Sequence, residues 1–199
     1  MLNSSHDCQD RKKSELTFAA IVDAALDMAA AQGMESLSLG QVARRLGISK
    51  SGVFSRVGSL EALQQAVLGE YDQRFLAAVF TPAMAFPRGL PRLNALVSLW
   101  IERASNVEML TGCIYVAGAF EYDDVDSPLR SVLETNLRRW RAAMVRTVNQ
   151  ALEAGHLRPD TDPEQLVFEV YSLMIGLMHD AASCGTRRLT SACGPPMNA

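Results

Sequence analysis

With 199 residues, 48% of them hydrophobic, and a formal charge of −3, the chain has apolar material for one large or two small domains. That charge argues against a uniformly basic nucleic-acid coat. No run approaches 18 uninterrupted apolar residues, which argues against a membrane-spanning helix. The charge is unevenly placed, however: residues 1–60 carry seven Lys and Arg against six Asp and Glu, and residues 61–199 carry twelve against sixteen. Phosphate affinity answers to a local patch rather than to the global sum.

Residues 1–13 are polar, end in Arg11-Lys12-Lys13, and read as a flexible basic arm able to touch phosphate. From Ser14 to Gln32, Phe18, Ile21, Val22, Ala25, Met28 and Ala29 recur with helical spacing, and Gly33 is placed to end the helix. A second helix starts at Ser38, with Gln41 in the capping-box position, and ends at Gly47. Ser49 caps a third, and Ile48 and Val53 are spaced as a hydrophobic staple. Ser59 caps a fourth, running to about Phe80; Pro82, Pro87, Gly89 and Pro91 then mark a linker. Four more helices are expected over about 91–106, 112–122, 127–154 and 162–182, the last two announced by Ser127-Pro128 and Asp162-Pro163. No strand alternation and no internal repeat occurs. After Asp180 the pattern fails, and residues 183–199 read as a disordered tail.

Residues 38–57 carry the chemistry. Leu39, Val42, Ala43, Leu46, Ile48 and Val53 can hold two short helices together, and the only charged side chains are Arg44, Arg45, Lys50 and Arg56, all positive. A Gly-containing turn between such helices also occurs in proteins that never touch DNA. The polar content of the third helix favours a helix-turn-helix with that helix in the major groove. Ser38, Gln41, Arg44, Arg45, Ser49, Lys50, Ser51, Gly52, Phe54, Ser55 and Arg56 are the candidate DNA contacts, since short or basic donors suit phosphates and base edges. Gly52 costs roughly 1 kcal/mol inside a helix; close approach to DNA or tight packing on the first helix would each explain it.

From about Glu15 to Asp72 the chain resembles the DNA-binding domain of TetR/AcrR-type regulators. The carrying residues are Ile21-Val22-Asp23-Ala24-Ala25, Gln32-Gly33, Leu39 to Lys50 and Gly58-Ser59-Leu60-Glu61-Ala62-Leu63. More weakly, the likeness extends to about Asp180. It implies an all-α homodimer: an N-terminal domain over 14–75 with a three-helix DNA-binding unit (helix-turn-helix 38–57), and a helical ligand-binding and dimerisation domain over 76–182. It also implies a repressor released from a palindromic operator by a small hydrophobic effector. Phe54 stands where the family usually has an aromatic hydroxyl, Arg56-Val57 where it often has His-Phe, and Leu60 where Lys is common.

Trp100, Met109, Cys113, Tyr115, Phe120, Met144, Phe168, Tyr171, Met174 and Met178 are candidates to line the effector pocket; helical spacing equally makes them core. Glu121, Asp123, Asp124 and Asp126 read as a solvated turn, and His156 as a surface or capping residue. The four cysteines, Cys8, Cys113, Cys184 and Cys193, are too dispersed for a disulfide framework or a metal site, which fits a reducing cytoplasm. No nucleophile–base pairing, glycine-rich phosphate loop or metal constellation argues for an enzyme, and no cofactor is expected. The competing reading is a dimeric helical ligand-binding or adaptor protein with degenerate DNA binding.

Overall fold

The computed structural model describes residues 4–108, 113–122 and 126–184, with side chains over 17–106, 113–119, 121–122 and 126–180. Met109 and the side chain of Phe120 lie outside these residues, as does the expected tail beyond Cys184. The described residues form eight principal helices and no strand: α1 (Ser4–Gln32), α2 (Leu39–Leu46), α3 (Lys50–Val57), α4 (Leu60–Phe75), α5 (Leu90–Arg103), α6 (Ile114–Glu121), α7 (Pro128–Glu153) and α8 (Pro163–Cys184). None is long and apolar enough to cross a membrane.

Local capping chemistry sets most helix starts. Ser38 Oγ accepts the Gln41 amide at 3.2 Å and Ser49 Oγ the Gly52 amide at 3.0 Å. Ser59 and Ser127 do the same for Ala62 and Arg130, and Asp162 Oδ1 accepts from both Glu164 and Gln165. Each bond satisfies an amide that the first helical turn leaves without an intrahelical acceptor.

Three boundaries differ from the sequence expectation. Instead of a flexible arm, α1 is helical from Ser4; residues 4–13 hold neither Gly nor Pro, so a formed helix propagates into them at little cost. Helical structure also continues past Phe80 rather than yielding to a linker at Pro82. A π-helical stretch, Leu76–Phe80, places the Thr81 amide on the Leu76 carbonyl, and a single α turn, Thr81–Ala83, takes Pro82 into its start, where a missing N–H costs least. The loop that follows is held by Arg92, whose guanidinium donates to the carbonyls of Met84 and Phe86. A second π-helical stretch, Ala104–Glu108, extends α5.

The helices fall into two compact units. One comprises residues 1–74 and 117–133, the other 75–116 and 134–199. The first thus includes the end of α6 and the start of α7, which the contiguous division at 75/76 assigns to the second domain. Its core holds Ile21, Val22, Ala25 and Ala29 of α1, Val42 and Ala43 of α2, Val53 of α3, Leu63, Val67 and Leu68 of α4, and Tyr122, Leu129 and Leu133. Phe18 leaves the expected stripe and is exposed. In the second unit, Val79, Leu93, Leu96, Trp100, Met144, Val148, Val167, Met174 and Met178 form one apolar cluster. There His156 acts as a cap: its Nδ1 accepts the Leu90 amide at the start of α5, 3.2 Å away.

Candidate functional site

The turn between α2 and α3 is made by Gly47, Ile48 and Ser49. Gly47 has φ +65°, a left-handed conformation that other residues adopt at a cost, and Ile48 N donates to Ala43 O at 3.0 Å. Val42, Ala43 and Val53 are buried and join the two helices. Ile48 is exposed rather than part of that core, and so are Arg44 and Arg45.

With one side of α3 buried, Lys50, Ser51, Phe54, Ser55 and Arg56 all stand on the surface. Positions 50, 51, 54 and 55 follow the i, i+1, i+4, i+5 rhythm of one helical stripe. No Asp or Glu occurs between Glu35 and Glu61, so this segment contributes no negative charge. The arrangement can take polyanion: a short helix, exposed and capped, with a cation at each end.

The individual residues divide into structural and available groups. Ser38 and Ser49 spend an acceptor on their helix caps; Ser38 Oγ also donates to Gln41 Oε1, and Ser49 Oγ shares a hydrogen bond with Ser51 Oγ. Arg45 is paired with Asp27 of α1 at 2.9 Å, an exposed pair that a phosphate can displace at little cost. Arg56 folds back along its own helix, Nη1 donating to Gly52 O at 2.9 Å, and Ser55 Oγ donates to the same carbonyl. A Cβ at Gly52 would meet only Ser49 Oγ, at 3.1 Å, and no atom of α2; packing on the first helix therefore does not explain this glycine. Phe54 is 55% exposed, an apolar ring with no core to fill.

One feature escaped the sequence reading. Glu121 is not a solvated turn residue: its Oε2 accepts the amides of Met34 at 2.9 Å and Glu35 at 3.3 Å, in the loop that delivers the chain into α2. The Met34 carbonyl accepts from Gln64 Nε2 at 3.1 Å. The peptide groups around Met34 are thus gripped from both sides by α6 and α4. Gly33 makes room, since a Cβ there would collide with Glu121 Oε1. No local pattern announces such a contact between residues 87 positions apart in sequence.

Of the pocket candidates, Trp100, Met144, Met174 and Met178 are buried in the apolar cluster of the second unit, with Cys113 and Tyr171 packed against it. Tyr115 accepts a hydrogen bond from Asn136. Phe168 stands apart at 56% exposure, because the α8 residues Val167, Tyr171, Met174 and Met178 take the inner face. In the first unit, Glu35, Glu61, Gln64, Tyr122, Ser127, Pro128 and Leu129 line an open cleft of about 540 Å³, more polar than an apolar effector favours. Among the described residues, no group of three or more His, Cys, Asp or Glu is placed to hold a metal ion.

Two family models match the chain. Residues 21–67 match the one described as bacterial regulatory proteins, tetR family, and residues 89–192 the one described as tetracyclin repressor-like, C-terminal domain. No curated protein matches the sequence. Among solved structures, a TetR transcriptional regulator from Chloroflexus aurantiacus superposes with a TM-score of 0.76 at 20% identity, covering 88% of this chain and 89% of its own. A TetR-family regulator from Cytophaga hutchinsonii gives 0.73 at 18% identity with 90% of each chain covered. AibR, solved in complex with isovaleryl coenzyme A and operator DNA, gives 0.66 at 18% identity, covering 83% of this chain and 85% of its own.

Proposed function

Because this chain belongs to the TetR family of bacterial transcription regulators, we propose that it is a ligand-responsive repressor: a homodimer that binds a palindromic operator and leaves it when a small hydrophobic effector enters the second unit. The observation that carries the DNA-binding part is the exposed stripe of Lys50, Ser51, Phe54 and Ser55 on α3, with Arg56 also on the surface and Val53 buried on the other side. Lys50 and Arg44 supply phosphate contacts, Ser51 and Ser55 reach base edges, and Phe54 is suited to a thymine methyl. Arg56 joins the phosphate set by exchanging its bond to Gly52 O for an anionic acceptor, the stronger of the two. Such a role places the protein in the cytoplasm, where the chromosome is.

The effector reading is supported by the apolar cluster around Trp100, Met144, Met174 and Met178, since adaptable Met and aromatic side chains suit small apolar ligands. One structural neighbour is solved with both a small molecule and operator DNA. Effector release is then a population shift between DNA-competent and incompetent states.

Support for the dimer comes from two large apolar side chains of α8 that lie outside its buried stripe, Phe168 and Leu173, 56% and 68% exposed. Paired α3 helices must stand about one DNA turn apart, roughly 34–36 Å, to read adjacent major grooves of one face. The double substitution Phe168→Asp with Leu173→Asp is expected to yield a monomer by light scattering with unchanged helical circular dichroism. A persistent dimer would place the interface elsewhere.

The decisive experiment is binding of the purified protein to DNA from its own gene neighbourhood across a salt series, with mass measured by light scattering. Tight, sequence-selective binding by a dimer is the expected result. Lys50→Ala should weaken binding to all sequences alike and reduce the log–log salt slope by about one per protomer. A dimer with only weak, non-selective binding would favour the adaptor reading instead, and an unchanged slope would remove Lys50 from the phosphate contacts.

A further inference from the structure

Two donors in the second unit are withdrawn from solvent without an acceptor among the described residues: the indole Nε1 of Trp140 and the guanidinium Nε of Arg141. Folded proteins pair nearly all such groups, so each one calls for an explanation. These two are neighbours on α7 and join the same aromatic group. Trp140 meets Trp100 edge-on with 5.3 Å between ring centroids. Trp100 lies 6.0 Å from Tyr171, and Arg141 Cζ stands 4.5 Å from the centre of the Tyr171 ring. Trp100, Trp140, Tyr171 and Arg141 therefore form a continuous cluster with a cation at its side.

No ion pair to Arg141 occurs among the described residues. Arg141 Cζ lies over the Tyr171 ring, and Arg141 Nε has no partner among the described residues; a guanidinium's N–H groups are the part that matches carboxylate and phosphate oxygens. Burial pushes the Tyr171 hydroxyl above its ordinary range, and the Arg141 charge opposes that push, so a positive field reaches the cluster. Trp140 and Arg141 are themselves only half-buried, which leaves an approach from the surface.

We infer that the effector is an amphiphilic organic anion, its apolar body against Trp100 and Trp140 and its carboxylate or phosphate on Arg141, with Trp140 Nε1 as a second donor. This rests on the effector-responsive reading above and names the chemistry that fits it.

Trp100 and Trp140 are the only two tryptophans of the chain, so intrinsic emission reports on this cluster alone. The test titrates the full-length protein with octanoate, octyl phosphate and octanol, which share one tail, and measures operator affinity in the same samples. At least one anion is expected to change the emission saturably, at a concentration tenfold or more below octanol; which anion wins identifies the head group. Arg141→Met should lose that tenfold preference and keep octanol binding, while Arg141→Lys, with the charge but not the fork, should retain part of it. Equal response to octanol and both anions, no response to any, or an undiminished anion preference in a folded Arg141→Met protein would each overturn the inference. Anion binding without release of DNA would support this site and sink the effector-release reading; selective DNA binding with no anion response would do the reverse.

Discussion

Trp100→Ala is expected to lower unfolding free energy by about 3–5 kcal/mol, the usual loss for deleting a buried large aromatic. Trp100 is buried in α5 and is the hub of the aromatic group: Phe75 lies 6.4 Å away and Trp140 5.3 Å, both edge-on, with Tyr171 at 6.0 Å. Each such pair adds roughly 0.5–1.5 kcal/mol beyond the area it buries. The pairs share one ring, so deletion removes all three at once, and their sum is an upper bound rather than a forecast. Against a typical stability of about 5–15 kcal/mol, the loss endangers the fold of the second unit. Urea unfolding followed by circular dichroism measures it independently of the lost indole. Trp100→Phe should recover most of the stability, and a midpoint unchanged in Trp100→Ala would deny the cluster its role.

Glu121→Ala is expected to cost about 1–3 kcal/mol, the penalty for stranding a buried amide. Met34, only 2% exposed, loses the carboxylate that its N–H donates to, and Glu35 loses the same acceptor. The affected loop leads directly into α2, so loosening it spreads the orientations of the α2–α3 pair before DNA is met. A loss of about 1–2 kcal/mol in that pre-organisation corresponds to a 5–30-fold loss of operator affinity. Glu121→Gln keeps an acceptor but not its charge and should fall between the two, since charge-assisted bonds are roughly twice as strong. Hydrogen exchange provides the direct measurement: the Met34 and Glu35 amides should exchange much faster in Glu121→Ala. Unchanged exchange at both would show that the grip is not what holds the loop.

Much of the candidate site was legible in the sequence because its causes are local. Ser38, Ser49 and Ser59 cap the helices that they announce, Gly47 turns the chain where a left-handed residue is needed, and Val42, Ala43 and Val53 are buried as their spacing requires. Each signal acts within about four residues, the range over which side chains bond to backbone or share a helical face. The weaker expectations were those that asked a local signal to predict a distant partner. Ile48 and Phe18 have apolar spacing and yet remain exposed among the described residues. Pro82 reads as a break, but the π-helical stretch before it lets the helix pass.

The sequence by itself therefore determined the all-helical class, most helix starts, and the acid-free, cation-flanked third helix that is the candidate DNA-reading element. Tertiary structure alone decided that residues 117–133 belong with the N-terminal unit, that Glu121 grips the loop before α2, that Arg45 is paired with Asp27 and that Phe168 faces outward. It alone gathered Trp100, Trp140, Tyr171 and Arg141 from three helices. The reason is the range of the forces involved. Caps and periodicity are satisfied within a turn or two of one helix, whereas a carboxylate, a guanidinium or an aromatic ring finds its partner only after chain segments tens of residues apart have packed.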